Sequence, residues 1–378
     1  MLILLFGFSF LTCAWASSLT IRLAKRHAIG ADETVGVQKF HRNWTPRLGG
    51  IPMFIAVAAS MLLAAWATKL HVAQTCFLLV CVLPAFGIGL LEDITRNVGV
   101  ATRLLVTVLA AGLGWWLLGA QLHKLDLPGV DHVLALWPLA ALALTLFAVS
   151  GVVHAVNIMD GYNGLSSFHM FVALAALAWV AQDVGDPLVY RFALLSSGAI
   201  LGFLVWNFPR GLIFMGDSGA YLLGFLFAEL AIMLVVRNPI VSPWCPLLLM
   251  SIPVWETLFS MARRVRHGVS SVGQPDALHL HHLIYRRLVK RYGASKLPSL
   301  SIKRNSLTSV YYWLFSIICA VPAVLFADRP KVLMALALLA VMAYLLLYRS
   351  LVRFSAPKFM MLRPAKRYIR SNDARDRI

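Results

Sequence analysis

Acidic residues are scarce in this chain, 16 among 378, yet Glu92, Asp93, Asp160, Asp217 and Glu256 all stand at or near the ends of apolar runs. A carboxylate placed where an apolar run meets a membrane boundary is costly unless it is paired or holds a cation, so each is a candidate functional group. Carboxylates acting together with phosphate oxygens suit a hard ion such as Mg²⁺, which takes one or two protein carboxylates and keeps several waters. The competing reading is structural: Asp217, in Gly216-Asp217-Ser218-Gly219, has the residue type that caps a helix N-terminus. Glycines then add a second signal. Gly161 and Gly164 flank Tyr162-Asn163 after Asp160, and Gly216 and Gly219 bracket Asp217-Ser218. Such loops let backbone N–H groups approach a phosphate in front of a helix N-terminus. A tight interhelical turn accounts for one of these loops more readily than for two that carry acids. The third signal is the run His279-Leu280-His281-His282, close to Asp276, Arg286 and Arg287. Histidines at this density can bind zinc or copper, can brace a polar loop, or can donate with arginine to a diphosphate. The cationic neighbours favour the diphosphate.

The elements that must position these groups are apolar. Of the sequence, 60% is hydrophobic and 13% charged, against roughly a quarter charged in a soluble domain. Apolar runs near the ~20 residues that cross a bilayer fall at 2–23, 49–68, 73–91, 102–120, 133–156, 165–182, 190–207, 218–236, 243–262, 309–327 and 331–348. The predicted fold is therefore all-α, a polytopic membrane bundle of about eleven helices, since helices satisfy their own backbone in lipid. Residues 1–348 are read as one integral membrane catalytic domain and 349–378 as a basic tail attracted to anionic lipid. Only Lys69, Lys124, Arg191, Arg237, Arg329 and Lys331 fall in one set of loops, and the other 28 of the 34 basic residues lie in the alternate set. The positive-inside rule then predicts a periplasmic N-terminus and a cytoplasmic C-terminus, with every polar motif on the cytoplasmic side. Ala14-Trp15-Ala16 resembles a cleavage site, but Arg22, Lys25 and Arg26 follow the first apolar run instead of preceding it. That order is the reverse of a signal peptide, and the run is expected to stay as a span. The net charge of +18 is assigned to membrane lipids; no zinc-finger spacing or aromatic-basic interleaving supports a nucleic-acid partner. Cys13, Cys76, Cys81, Cys245 and Cys319 lie in apolar stretches and are read as small buried hydrophobes, without a disulfide framework.

In this order the motifs resemble the polyprenyl-phosphate N-acetylhexosamine-1-phosphate transferases. The residues that carry the likeness are Thr45-Pro46-Arg47-Leu48-Gly49-Gly50, the stretch from Asn157 through Asp160, Gly161 and Gly164 to Leu165, Gly216-Asp217-Ser218-Gly219, and the histidine run. The resemblance implies a Mg²⁺-dependent reaction, with Mn²⁺ the alternative ion, in which a UDP-sugar and undecaprenyl phosphate give undecaprenyl-diphosphate sugar and UMP at a bacterial inner membrane. It implies that Asp217 ligates the metal, that Asn157 and Asp160 belong to the metal and nucleotide site, and that Glu92-Asp93 deprotonate or position the lipid phosphate. Arg42, Thr45, Arg47, Arg103 and Asn163 are implied as substrate contacts, and His279, His281 and His282 as the sugar-nucleotide grip. A homodimer is the family's tendency.

Two departures stand out. The tandem pair, commonly Asp-Asp, begins here with Glu92, whose extra methylene moves the carboxylate by about 1 Å, enough to matter for catalytic positioning; Asp93 is the better candidate base. Glu256 stands where relatives commonly carry Asp and is a weak candidate. Direct attack by the lipid phosphate is favoured, because no Ser or Cys has an evident activating base. Phospho-N-acetylmuramoyl-pentapeptide transferase, a lipid-phosphate phosphatase, an inactive scaffold and a cation-coupled transporter are the competing functions. A transporter predicts mid-span acids and an internal repeat, whereas the candidate acids hug the inner ends of the runs and no repeat is evident.

Overall fold

The structure, a computed structural model, describes residues 1–27, 45–266, 278–289 and 298–353, and of 298–301 the backbone alone. It is all-helical: α1 Leu2–His27, α2 Gly50–Thr68, α3 Val72–Thr95, α4 Val100–Leu118, α5 Pro128–Leu136, α6 Pro138–Met159 and α7 Leu165–Asp183, then α8 Pro187–Asn207, α9 Gly216–Arg237, α10 Trp244–Leu249, α11 Ser251–Arg266, α12 Leu280–Ile284, α13 Pro298–Leu325 and α14 Pro330–Val352. Ten of these are long and apolar enough to cross a membrane; the chain is a multi-pass membrane protein.

The expected span at 243–262 is corrected. It is two helices, α10 and α11, interrupted at Met250. Pro253 accounts for the break: it lacks an N–H, and its ring crowds the carbonyl of Leu249, four residues back, which disfavours continuing the helix begun at Trp244. The segment expected at 133–156 is likewise divided, with α6 starting afresh at Pro138, and α13 begins some ten residues before the apolar run that announced it. Cys13, Cys81, Cys245 and Cys319 are buried, whereas Cys76 lies exposed on α3; all five are free thiols.

The bundle is organised around α9. Its sequence is apolar on every side, as befits a helix buried all round, and nearly its whole length is covered. Glycines set the close approaches, since association of helices in lipid depends on close packing. A Cβ at Gly89 of α3 would strike the backbone of Asp217 and Ser218 at the start of α9, and one at Gly224 of α9 would meet Val153 of α6. Helix α1 lies along α8 on Gly198 and Gly202, tied by Ser9 Oγ donating to the Leu195 carbonyl at 2.8 Å. Mid-bundle, Glu229 fills the space left by Gly114 of α4; it is fully buried, and its oxygens meet no donor among the described residues.

The two ends of the bundle differ in kind. One end is held by a clamp, in which Asp186 caps α8 through the N–H groups of Leu188 and Val189 and accepts from Arg237 Nε at 2.6 Å and Asn238 Nδ2 at 3.0 Å. The other end gathers the starts of α2, α4, α7 and α9 and the ends of α3, α6 and α8, which are the segments carrying the polar motifs. There α12 and the π-helical turn Tyr285–Val289 are buried in a second apolar cluster with Met159, Ile252, Tyr312 and Tyr344.

Candidate active site

Asp217 lies in the first turn of α9, where a carboxylate complements the helix dipole. Its Oδ1 accepts from Arg47 Nη2 at 3.2 Å and its Oδ2 from Arg103 Nη1 at 2.6 Å. The turn that presents it needs Gly216, whose φ of 71° is in the left-handed region. A Cβ there would also collide with the Arg47 carbonyl and the Asp93 carboxylate.

Helix α9 supplies no side-chain cap of its own. Asp93, from the last turn of α3, does so instead: Oδ1 accepts from Asp217 N at 2.8 Å, and Oδ2 from Ser218 N at 2.9 Å and Ser218 Oγ at 2.6 Å. Asp93 is only 2% exposed, so both of its oxygens are committed to holding α9. Glu92 performs a parallel task, accepting from Val98 N at 2.9 Å to close the α3–α4 turn, with Oε1 4.0 Å from Arg103 Nη1.

The remaining predicted residues distribute around a cavity of about 1020 Å³. Arg47, Arg103, Asn157, Asp160, Asn163, His279, His281 and His282 all line it. Asp160 follows the end of α6, where burial pushes its carboxyl up to about 7, Arg47 opposing and the charges of Asp217 and Asp93 adding. Asn163 braces the wall: its N–H donates to Asn305 Oδ1 at 2.8 Å and its Nδ2 to the Pro209 carbonyl at 3.0 Å. Thr45 is buried and donates to the Gly211 carbonyl at 3.3 Å, which joins the segment before α2 to the loop before α9. Arg42 lies outside the described residues.

Two of the three histidines pair with α11 and the third with the loop after α6. Ser260 Oγ pairs with His279 Nδ1 at 3.0 Å, Glu256 Oε1 with His281 Nδ1 at 3.0 Å, and Tyr162 Oη with His282 Nδ1 at 3.0 Å. Burial first, then the charges of His281, His279 and Arg286, lowers His282 to about 2. It is therefore a neutral ring, its Nδ1 paired with the Tyr162 hydroxyl. Tyr312 also reaches Glu256, at 3.2 Å. Gly161 leaves room for the His281 ring against the Asp160 loop. Glu256 is thus the residue the sequence undervalued, because only the fold places it under His281, 25 positions away. Tyr162 and Ser260 were missed outright, since a tyrosine in a turn and a serine in an amphipathic helix carry no distinctive pattern.

Among the described residues, no group of three His, Cys, Asp or Glu side chains is disposed to hold a metal by itself. The donor set fits a hard ion differently: Asp217 and Asp160 offer carboxylate oxygens beside arginines suited to phosphate, the arrangement in which Mg²⁺ is shared between protein and substrate. The far part of the cavity changes character. It continues between α4, α6, α9 and the broken α10–α11 pair and is walled by Leu104, Phe147, Val152, Ala231 and Leu247. One space therefore joins a polar end bearing Arg47 and Arg103 to an apolar passage.

Residues 75–235 match the family model described as glycosyl transferase family 4. The chain is similar to a probable undecaprenyl-phosphate N-acetylglucosaminyl 1-phosphate transferase of Bacillus subtilis (strain 168), at 27% identity over 74% of this chain and 76% of the relative. It is similar to the decaprenyl-phosphate N-acetylglucosaminephosphotransferase of Mycolicibacterium smegmatis, at 29% identity over 91% of this chain and 86% of the relative. The protein of the same name from Mycobacterium leprae is 31% identical over 64% of this chain and 67% of the relative.

Proposed function

The chain belongs to glycosyl transferase family 4, and from that membership we propose that it transfers N-acetylglucosamine 1-phosphate from UDP-N-acetylglucosamine to undecaprenyl phosphate, opening synthesis of a cell-envelope polysaccharide. An oxygen of the acceptor phosphate attacks the β-phosphorus of the nucleotide sugar. The bond from that phosphorus to the bridging oxygen breaks, and UMP leaves. The observation that carries this reading is one cavity with Arg47, Arg103 and Asp160 at one end and an apolar passage at the other. A soluble diphosphate and a lipid phosphate can meet there.

Phosphoryl transfer asks mainly for positioning and charge neutralisation. Mg²⁺, when bound, supplies part of that neutralisation, and Asp217 and Asp160 are the residues that would hold it. Arg47 and Arg103 orient phosphate oxygens, bonding as charged donors. His281, steadied by Glu256, and His279 face the nucleotide sugar. We assign Asp93 and Glu92 to positioning: one fixes the start of α9 and so Asp217, the other fixes the α3–α4 turn and backs Arg103. The motif end is placed at the cytoplasmic face, because the loops at that end hold most of the basic residues.

The test is UMP release by the purified chain given Mg²⁺, undecaprenyl phosphate and a panel of UDP-sugars. UDP-N-acetylglucosamine is expected to support turnover only when the lipid phosphate is present, and Asp217→Asn to lower it by roughly 100-fold or more while the protein stays folded, as expected for losing a group that organises transition-state charge. Inorganic phosphate released from the lipid without any nucleotide sugar would instead identify a phosphatase.

A further inference from the structure

One turn deeper in the membrane than the acid and arginine cluster lies a second polar layer. Helix α4 contributes Thr107, four residues after Arg103; α6 contributes His154, three before Asn157; and α9 contributes Tyr221, four after Asp217. The three are connected. Thr107 Oγ1 donates to the Leu104 carbonyl at 2.8 Å, so it accepts from His154 Nε2 at 3.2 Å. The His154 ring then meets Tyr221 edge to face, centroids 5.1 Å apart, a favoured aromatic geometry. Tyr221 is fully buried, yet its hydroxyl has no hydrogen bond of good geometry among the described residues. It faces the cavity next to Asn157 and the Arg103 guanidinium, whose Nε is also unspent.

A buried hydroxyl without a well-aligned acceptor is costly: Asn157 and the Arg103 guanidinium come close to the Tyr221 hydroxyl but complete no bond of good geometry. The Tyr221 hydroxyl and Arg103 Nε, neither with a well-placed acceptor, converge where the polar end of the cavity turns into its apolar passage. An anion arriving from the cytoplasm reaches Arg47 and the histidines first. An anion carried on a hydrocarbon chain, lying along Leu104, Phe147 and Val152, brings its head group to Tyr221. We propose that Tyr221 binds the phosphate of the lipid acceptor, donating its hydroxyl beside Arg103, and that His154, held by Thr107, is the positioning residue that fixes the Tyr221 ring. This rests on the two-substrate reading above, and it assigns the deeper subsite to the lipid.

Tyr221→Phe removes the oxygen alone and leaves packing intact. With the purified full chain and Mg²⁺, the apparent KM for undecaprenyl phosphate is expected to rise roughly tenfold or more, the scale of one hydrogen bond to a charged group. The KM for UDP-N-acetylglucosamine and the melting temperature without substrate stay unchanged. His154→Leu raises the same lipid KM, and the double variant is no worse than Tyr221→Phe, since one residue acts through the other. An unchanged lipid KM, or an equal rise for both substrates, overturns the proposal. A binding arm separates it from the parent reading: farnesyl phosphate is expected to raise the melting temperature of the unaltered protein and not that of Tyr221→Phe. If the unaltered protein releases no UMP, the two-substrate reading fails, while this shift still decides the role of Tyr221: equal shifts in both proteins refute it.

Discussion

Both oxygens of Glu256 are taken, one facing His281 and both within reach of Tyr312. Glu256→Gln keeps the shape but removes the charge that favours one orientation of the imidazole, much as carboxylates fix metal-bound histidines. The expected result is a rise of about tenfold in KM for the UDP-sugar, on the scale of a hydrogen bond to a charged group, with lipid KM unchanged, read from initial rates at saturating acceptor. His282, neutral through its burial, should show no imidazole titration between pH 4 and 9 in an NMR experiment on the folded protein. At this scale the sequence was informative about which residues matter and silent about what several of them do. Asp217, Asp160, Asn157 and the histidines stand out as polar types at the ends of apolar runs. That Asp93 spends both oxygens on α9, and that Glu256 lies under His281, depends on contacts 124 and 25 residues apart, which no local pattern encodes. Tyr221 sits in a run apolar enough to pass for ordinary core.

Gly89 on α3 is the contact that lets α9 bring its first turn against Asp93. Gly89→Ala would press a methyl into the backbone of Asp217 and Ser218, overpacking worth about 1–3 kcal/mol. Since the yielding element is the one that presents Asp217, activity is expected to fall further than stability, as comparison of UMP release with the melting curve will show. At the opposite end, Asp186→Ala removes the α8 cap and its pairing with Arg237 and Asn238, and a loss of about 1–2 kcal/mol is expected. Burial alone would raise the Asp186 carboxyl, but Arg237, the Val189 N–H and Asn238 outweigh it and hold it below its ordinary value. Its contribution is therefore complete above about pH 4, the unfolded carboxylate range, and disappears as pH falls through the lowered folded value. Melting of the unaltered protein and of Asp186→Ala should converge only in that acidic window. Among the elements, the long apolar helices were legible from length and hydropathy. The α10–α11 break was written in Pro253, but a periodic apolar run outweighed one residue. The burial of α12 was not legible, because a five-residue helix rich in histidine gains its apolar cover from distant helices, α6, α7, α11, α13 and α14.

The whole molecule behaves as a frame around one cavity. Ala231 of α9 walls its apolar part, so Ala231→Phe should shorten the passage available to a hydrocarbon tail. The ratio of kcat/KM for undecaprenyl phosphate to that for farnesyl phosphate is expected to fall roughly tenfold or more, the scale of the about 1–3 kcal/mol that a change in apolar fit is worth. An unchanged ratio would move the tail to another path. Because the cap on α9 comes from α3 and not from its own chain neighbours, the chemistry depends on a seam between two helices. A seam of a few hydrogen bonds opens more easily than ten spans unravel. On slow heating the enzyme should fall silent before it loses helicity, and on prompt cooling it should regain its full rate, a reversible inactivation that circular dichroism alone would not detect.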